Sequence, residues 1–130
     1  WVKSKGAVSI SGVTASHNQV RGIDIDQAST IMLVNSQVLN NSSEGVYSTS
    51  LGNTTVRNLL AFLNGAAGHF PGMDLASISG KIYLYSSTAT GNDGYGFMIY
   101  VPNPNSDFYM SLVNYMGNGG GTYTVEPYTP

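Results

Sequence analysis

The chain has no cysteine, which excludes disulfides and thiolate metal sites and leaves its redox compartment open. It also has little charge: Asp, Glu, Lys and Arg make up 9% of its 130 residues, against roughly 25% in ordinary globular domains. The five basic residues, Lys3, Lys5, Arg21, Arg57 and Lys81, are scattered and the net charge is −2. No basic patch can therefore neutralise a phosphate backbone, and nucleic acid is excluded as a partner. No apolar run approaches the roughly 18 residues that a membrane span needs, and no basic segment followed by an apolar one opens the chain as an export signal would. Long helices are not expected.

Gly, Ser, Thr and Asn fill the polar quota instead, a composition that suits an exported or cell-surface protein. Asn40, Asn41 and Asn53 each begin an N-x-[ST] sequon. In a chain this rich in Asn, Ser and Thr, the expectation is coincidence.

The organising feature is a repeat. The stretch Ile31 to Gly45, I-M-L-V-N-S-Q-V-L-N-N-S-S-E-G, has counterparts 23 residues earlier, from Val8, and 23 residues later, from Thr54. A corner asparagine recurs at Asn18, Asn41, Asn64, Asn92 and Asn118, at intervals of 23, 23, 28 and 26. Aligning the segments on these asparagines produces apolar columns. One is Val8, Ile31, Thr54, Ile82 and Phe108; another, two residues on, is Ile10, Leu33, Val56, Leu84 and Met110. A second side supplies Ile23, Val46, Met73, Phe97 and Tyr123 with Ile25, Ser48, Leu75, Ile99 and Val125, and a shorter third side Ala15, Val38, Ala61, Ala89 and Tyr115. Three short parallel strands per coil, separated by polar corners and stacked about 4.8 Å apart, describe an all-β parallel β-helix of five to six coils. Its crossovers should be right-handed, and residues 1–130 should form a single domain.

Asparagine tolerates the left-handed backbone conformation, and its amide can bond to the same amide one coil away, so the corner column should form a ladder. Gly12, Asn35, Asn58, Ser86 and Leu112 suggest a weaker ladder at a second bend. Gly22, Gly45, Gly72 and Gly96 are expected to open the following strand with a positive φ. The longer intervals place surface loops near 66–71 and 101–107. Residues 1–5 read as a lead-in, with no helix to cover the first coil.

The pattern I-x-V-x-N-S-x-V-x-N-N-x-x-x-G-V resembles the right-handed parallel β-helix repeat of pectate-lyase-like proteins and of large bacterial surface adhesins, from Val8 to about Val125. Polysaccharide lyases of this fold, the resemblance implies, gather acidic residues on one face to hold calcium. Asp24, Asp26 and Asp74 are the candidates here, although two coils put Asp24 and Asp74 about 10 Å apart. Polygalacturonase-type hydrolases carry N-T-D, D-D and G-H-G motifs that this chain lacks. His69 has no carboxylate beside it in sequence to orient it. No G-x-S-x-G and no phosphate loop with its lysine is present. Arg21 and Glu44 share a column in adjacent coils, which predicts a surface ion pair adding at most ~1 kcal/mol. Outward tyrosines stand out: Tyr83 and Tyr109 in one column, Tyr85 beside them, and Tyr100 on the next face.

The functional expectation is a non-enzymatic structural or adhesive module needing no metal and no cofactor. Its partners would be copies of itself or adjacent β-helix coils, stacked end to end into a filament or built into a large adhesin. The alternative is a carbohydrate-binding or polysaccharide-cleaving β-helix, with polysaccharide as its partner.

Overall fold

A computed structural model describes residues 1–129; Pro130 lies outside the described residues. Among the described residues every regular element is a strand, and no helix is long and apolar enough to cross a membrane. The lead-in is itself a strand, β1 (Val2–Lys3). Five coils follow: β2 (Val8–Ser11), β3 (Thr14–Ser16) and β4 (Ile23–Ala28); β5 (Ile31–Leu39) and β6 (Val46–Ser50); β7 (Thr54–Phe62) and β8 (Met73–Ser77); β9 (Ile82–Tyr85), β10 (Thr88–Thr90) and β11 (Tyr95–Val101); β12 (Phe108–Ser111) and β13 (Gly121–Pro127).

All pairings are parallel and join neighbouring coils. One sheet runs β1-β4-β6-β8-β11-β13 and the other β12-β9-β7-β5-β2, with β3 on β5 and β10 on β7. The apolar columns fall in register as expected: Val8 on Ile31, Ile31 on Thr54, Thr54 on Ile82 and Ile82 on Phe108. The columns led by Ile23 and Ile25 stack as well. In the second and third coils the two strands that the sequence separates at Asn35-Ser36 are one strand of nine residues, bent at Asn35 or Asn58. The bend leaves enough coil-to-coil hydrogen bonding on both sides for the ladder to continue.

The core is the interior of the column. Leu33, Val56, Leu84, Leu75, Phe97 and Ile99 are fully buried, each such side chain contributing about 1.5–3 kcal/mol. Val8, Ile10, Phe108 and Val125, in the end coils, are half-buried because each has a neighbouring coil on one side only. Ser48 takes an inward position between Ile25 and Leu75, and its buried hydroxyl has no partner among the described residues.

The asparagine ladder is present along the whole column. Each Nδ2 donates to the Oδ1 of the asparagine one coil on, at 2.8 Å for Asn18 to Asn41, 2.9 Å for Asn41 to Asn64, 3.0 Å for Asn64 to Asn92 and 2.9 Å for Asn92 to Asn118. Each backbone N–H donates to that same Oδ1 at 3.0–3.1 Å.

Two expectations about the corners are corrected. The left-handed residue is the one before each ladder asparagine, namely His17, Asn40, Leu63, Gly91 and Gly117. The glycines after the ladder do not have positive φ either. They are small because the chain passes against the amides: a Cβ at Gly45 would sit 2.8 Å from Asn64 Nδ2 and 2.5 Å from Gly72 O, and one at Gly22 would sit 2.6 Å from Asn41 Nδ2.

Candidate functional site

On the outward face of the first sheet, parallel register lines up Asp24, Tyr47, Asp74, Met98 and Thr124. The neighbouring column holds Thr49, Ala76, Tyr100 and Glu126. Strand alternation turns these side chains outward because Ile23, Val46, Met73 and Phe97 point inward beside them.

The three candidate carboxylates meet different fates. Asp24 Oδ2 accepts from Arg21 Nη1 at 3.0 Å, and the same guanidinium donates through Nε to Glu44 at 3.1 Å. Arg21 also lies over the Tyr47 ring, 3.7 Å from its centroid. Its ion pair with Glu44 is therefore more than a surface contact, since Glu44 is only 5% exposed. Burial works to raise the Glu44 carboxyl, but hydrogen bonds from Ser43 and the backbone and the Arg21 charge outweigh it and hold the group below the usual carboxylate range. Asp26 sits where the register shifts in β4 and pairs with Lys3 at 3.5 Å.

Asp74 is different. Among the described residues no group donates a hydrogen bond to it, and it lines an open pocket of about 270 Å³ with Tyr47, Tyr100, Tyr128, Ala76 and two threonines. Burial, and then the negative charge of Glu44, push its carboxyl up to about 6, with Arg21 opposing. The structure thus brings Asp24 and Asp74 onto one face but leaves only Asp74 without a cationic partner. Among the described residues no three His, Asp or Glu side chains gather closely enough to hold a metal ion.

The other sheet carries the second candidate surface. Tyr83 and Tyr109 stack with ring centroids 5.3 Å apart and planes at 14°, and Tyr83 and Tyr85 at 6.2 Å and 22°. Cations flank the strip: Arg57 lies 5.8 Å from the Tyr85 centroid, and Lys81 Nζ donates to the Tyr109 hydroxyl at 3.2 Å. Tyr100 belongs to the opposite sheet and lines the Asp74 pocket, so the four tyrosines form two surfaces.

One pair was not legible in the sequence. His69 Nδ1 meets Asp93 Oδ2 at 2.9 Å, and the same oxygen accepts the His69 backbone N–H at 3.1 Å. The partner lies a coil away, and the loop insertion removes the repeat spacing that could have aligned the two. The imidazole is well exposed, on the rim of the column. Of the sequons, Asn41 is 1% exposed with its amide committed to the ladder, so the folded chain cannot present it for glycosylation; Asn53 Oδ1 accepts from Lys81 N–H, and Asn40 is exposed.

A stack of parallel strands with a buried asparagine ladder defines a β-solenoid. The family model described as "Right handed beta helix region" matches residues 1–126, and the chain belongs to that family. Comparison with curated proteins and with solved structures finds no match.

Proposed function

We propose that the chain is a non-enzymatic structural and adhesive module of an extracellular or cell-surface solenoid, extended end to end by coils of a second copy. The observation that supports this reading is the direction of the asparagine ladder. Every rung donates toward the C-terminal coil, so among the described residues the Asn18 end presents an acceptor amide oxygen and the Asn118 end presents a backbone donor. The two ends are complementary, which is what a head-to-tail contact requires. The half-buried apolar columns at each end would be covered by the same contact, and the stacked strip of Tyr83, Tyr85 and Tyr109 gives the column a lateral adhesive surface.

Ser9 supplies the test. Val8 and Gly12 donate their N–H groups to Thr30 O and Val34 O of the second coil, so by alternation the Ser9 N–H points away from that coil, toward the open edge. Ser9→Pro therefore removes an edge donor while keeping the internal ladder. Sedimentation velocity should show wild-type species that grow with concentration and a Ser9→Pro variant that stays monomeric. A wild-type chain that is monomeric at every concentration overturns the reading.

A second reading is polysaccharide binding or cleavage at the face of Asp24, Asp26 and Asp74. It is favoured by the free Asp74 carboxylate but needs Arg21 and Lys3 to release the other two. Release of unsaturated sugars, abolished by Asp24→Ala, is its signature.

A further inference from the structure

The Asp74 pocket combines three features that point to one ligand chemistry. Its walls include three aromatic rings, Tyr47, Tyr100 and Tyr128. Its carboxylate is mostly shielded from water yet receives no donor from the described residues, unlike Asp24 and Asp26 on the same sheet. The surrounding charge is negative, because the single Arg21 faces Asp24, Glu44 and Asp74, with Glu126 beside Tyr100. Ring faces attract cations, and a shielded carboxylate gains most from a cationic hydrogen-bond donor. We propose that this pocket binds a primary ammonium group, carried on an amino sugar, with Asp74 as its counter-ion and the tyrosine rings as its walls.

The donor requirement separates a primary ammonium from a quaternary one. Only the former can hydrogen-bond to Asp74 and to the threonine hydroxyls, Thr49 and Thr129, that share the lining. The pocket volume is near the lower bound of small-molecule sites and suits a single sugar ring. Arg21 does not fill the role, since its guanidinium is held against Asp24, Glu44 and the Tyr47 ring. This site stands apart from the tyrosine strip on the other sheet, and Tyr128 and Thr129, which follow β13, bring its wall to the C-terminal coil.

The titratable groups facing Asp74 are Glu44 and Arg21 along the coil edge, Tyr47 on β6, Tyr100 on β11, and Tyr128 beyond β13, with Asp24 and Glu126 further along the columns. Glu44 is held below the usual range, and burial and the charges of Asp74 and Glu126 hold Tyr100 above its own, so neither titrates near Asp74. Affinity for the ammonium should therefore fall as pH drops through about 6.

The test is NMR titration of the chain with glucosamine, N-acetylglucosamine and tetramethylammonium. Expected are shifts at Tyr47, Asp74 and Tyr100 with glucosamine, weaker binding of the other two, and a roughly ten- to hundredfold loss in Asp74→Asn. Tyr100→Ala, a second variant, should also weaken binding, whereas Asp26→Asn should leave it unchanged. Equal affinity for glucosamine and N-acetylglucosamine, tighter binding of tetramethylammonium, or full affinity in Asp74→Asn overturns the proposal.

Discussion

Two corners of each coil solve different problems. At the ladder corner all five positions are asparagine, and Asn41, Asn64 and Asn92 are each 1% exposed. At the second corner, Gly12, Asn35, Asn58, Ser86 and Leu112 share positive φ between 47° and 68°, yet the one side-chain hydrogen bond between them, among the described residues, is from Asn58 Nδ2 to Asn35 Oδ1, and it is exposed. The left-handed positions next to the ladder are equally varied: histidine, asparagine, leucine and two glycines. A left-handed backbone costs an ordinary residue about 1–2 kcal/mol, which packing elsewhere can offset. A buried amide that joins three coils has no substitute of the same shape and bonding. The demand for hydrogen bonds constrains this sequence more tightly than the demand on backbone conformation.

The largest expected effect sharpens that contrast within one coil. Asn64→Ala leaves the Asn41 N–H without its acceptor, leaves Asn41 Nδ2 with Ala15 O alone, and takes the Asn64 Nδ2 donor from Val38 O and Asn92 Oδ1, all in a buried setting. At about 1–3 kcal/mol for each group left unsatisfied, the loss should be about 4 kcal/mol after relaxation. Asn58→Ala, six residues earlier at the other corner, should cost about 1 kcal/mol, chiefly for alanine at positive φ. Urea unfolding of the two variants decides the matter, and equal losses would break the comparison.

The glycines give the next contrast. Gly45→Ala puts a methyl against backbone Gly72 O, the Asn64 amide and Val38, so either the ladder or the strand must shift, at about 3 kcal/mol. Gly12→Ala meets nothing within 4 Å and carries only the cost of φ +68°, about 1 kcal/mol. Thermal melts of the two should separate by several degrees; coincident melts would mean that backbone conformation, not the ladder, selects glycine at both corners.

These contrasts mark how much the sequence disclosed. Period and column were legible because inward residues at Leu33, Val56 and Leu84 must be apolar in every coil, and the amide column is read directly as Asn18 to Asn118. The reason for Gly45 was not legible, because a close approach between coils leaves the same letter as a positive φ. Placing Asp24, Tyr47 and Asp74 in one column was possible from register alone. That Arg21 occupies Asp24 and leaves Asp74 free was not, since either carboxylate sits one or two strands away and only side-chain geometry chooses. His69 and Asp93 escaped for a related reason: loops break the repeat, and without a repeat there is no register to count along.

The smallest effect has the opposite sign. Leu112 ends the second-corner column in a left-handed conformation, φ 55°, with 84% of its surface exposed, so its side chain contributes almost nothing to the core while its backbone carries strain. Asparagine adopts that conformation more readily than leucine and, unlike glycine, adds little entropy to the unfolded chain. Leu112→Asn should therefore stabilise the chain by about 0.5–1 kcal/mol, read as a small rise in melting temperature. The same exchange at the ladder corner has no counterpart, because every ladder position is already asparagine. A destabilised Leu112→Asn would show that Leu112 is held by contacts rather than merely tolerated, and the second corner would then be as specific as the first.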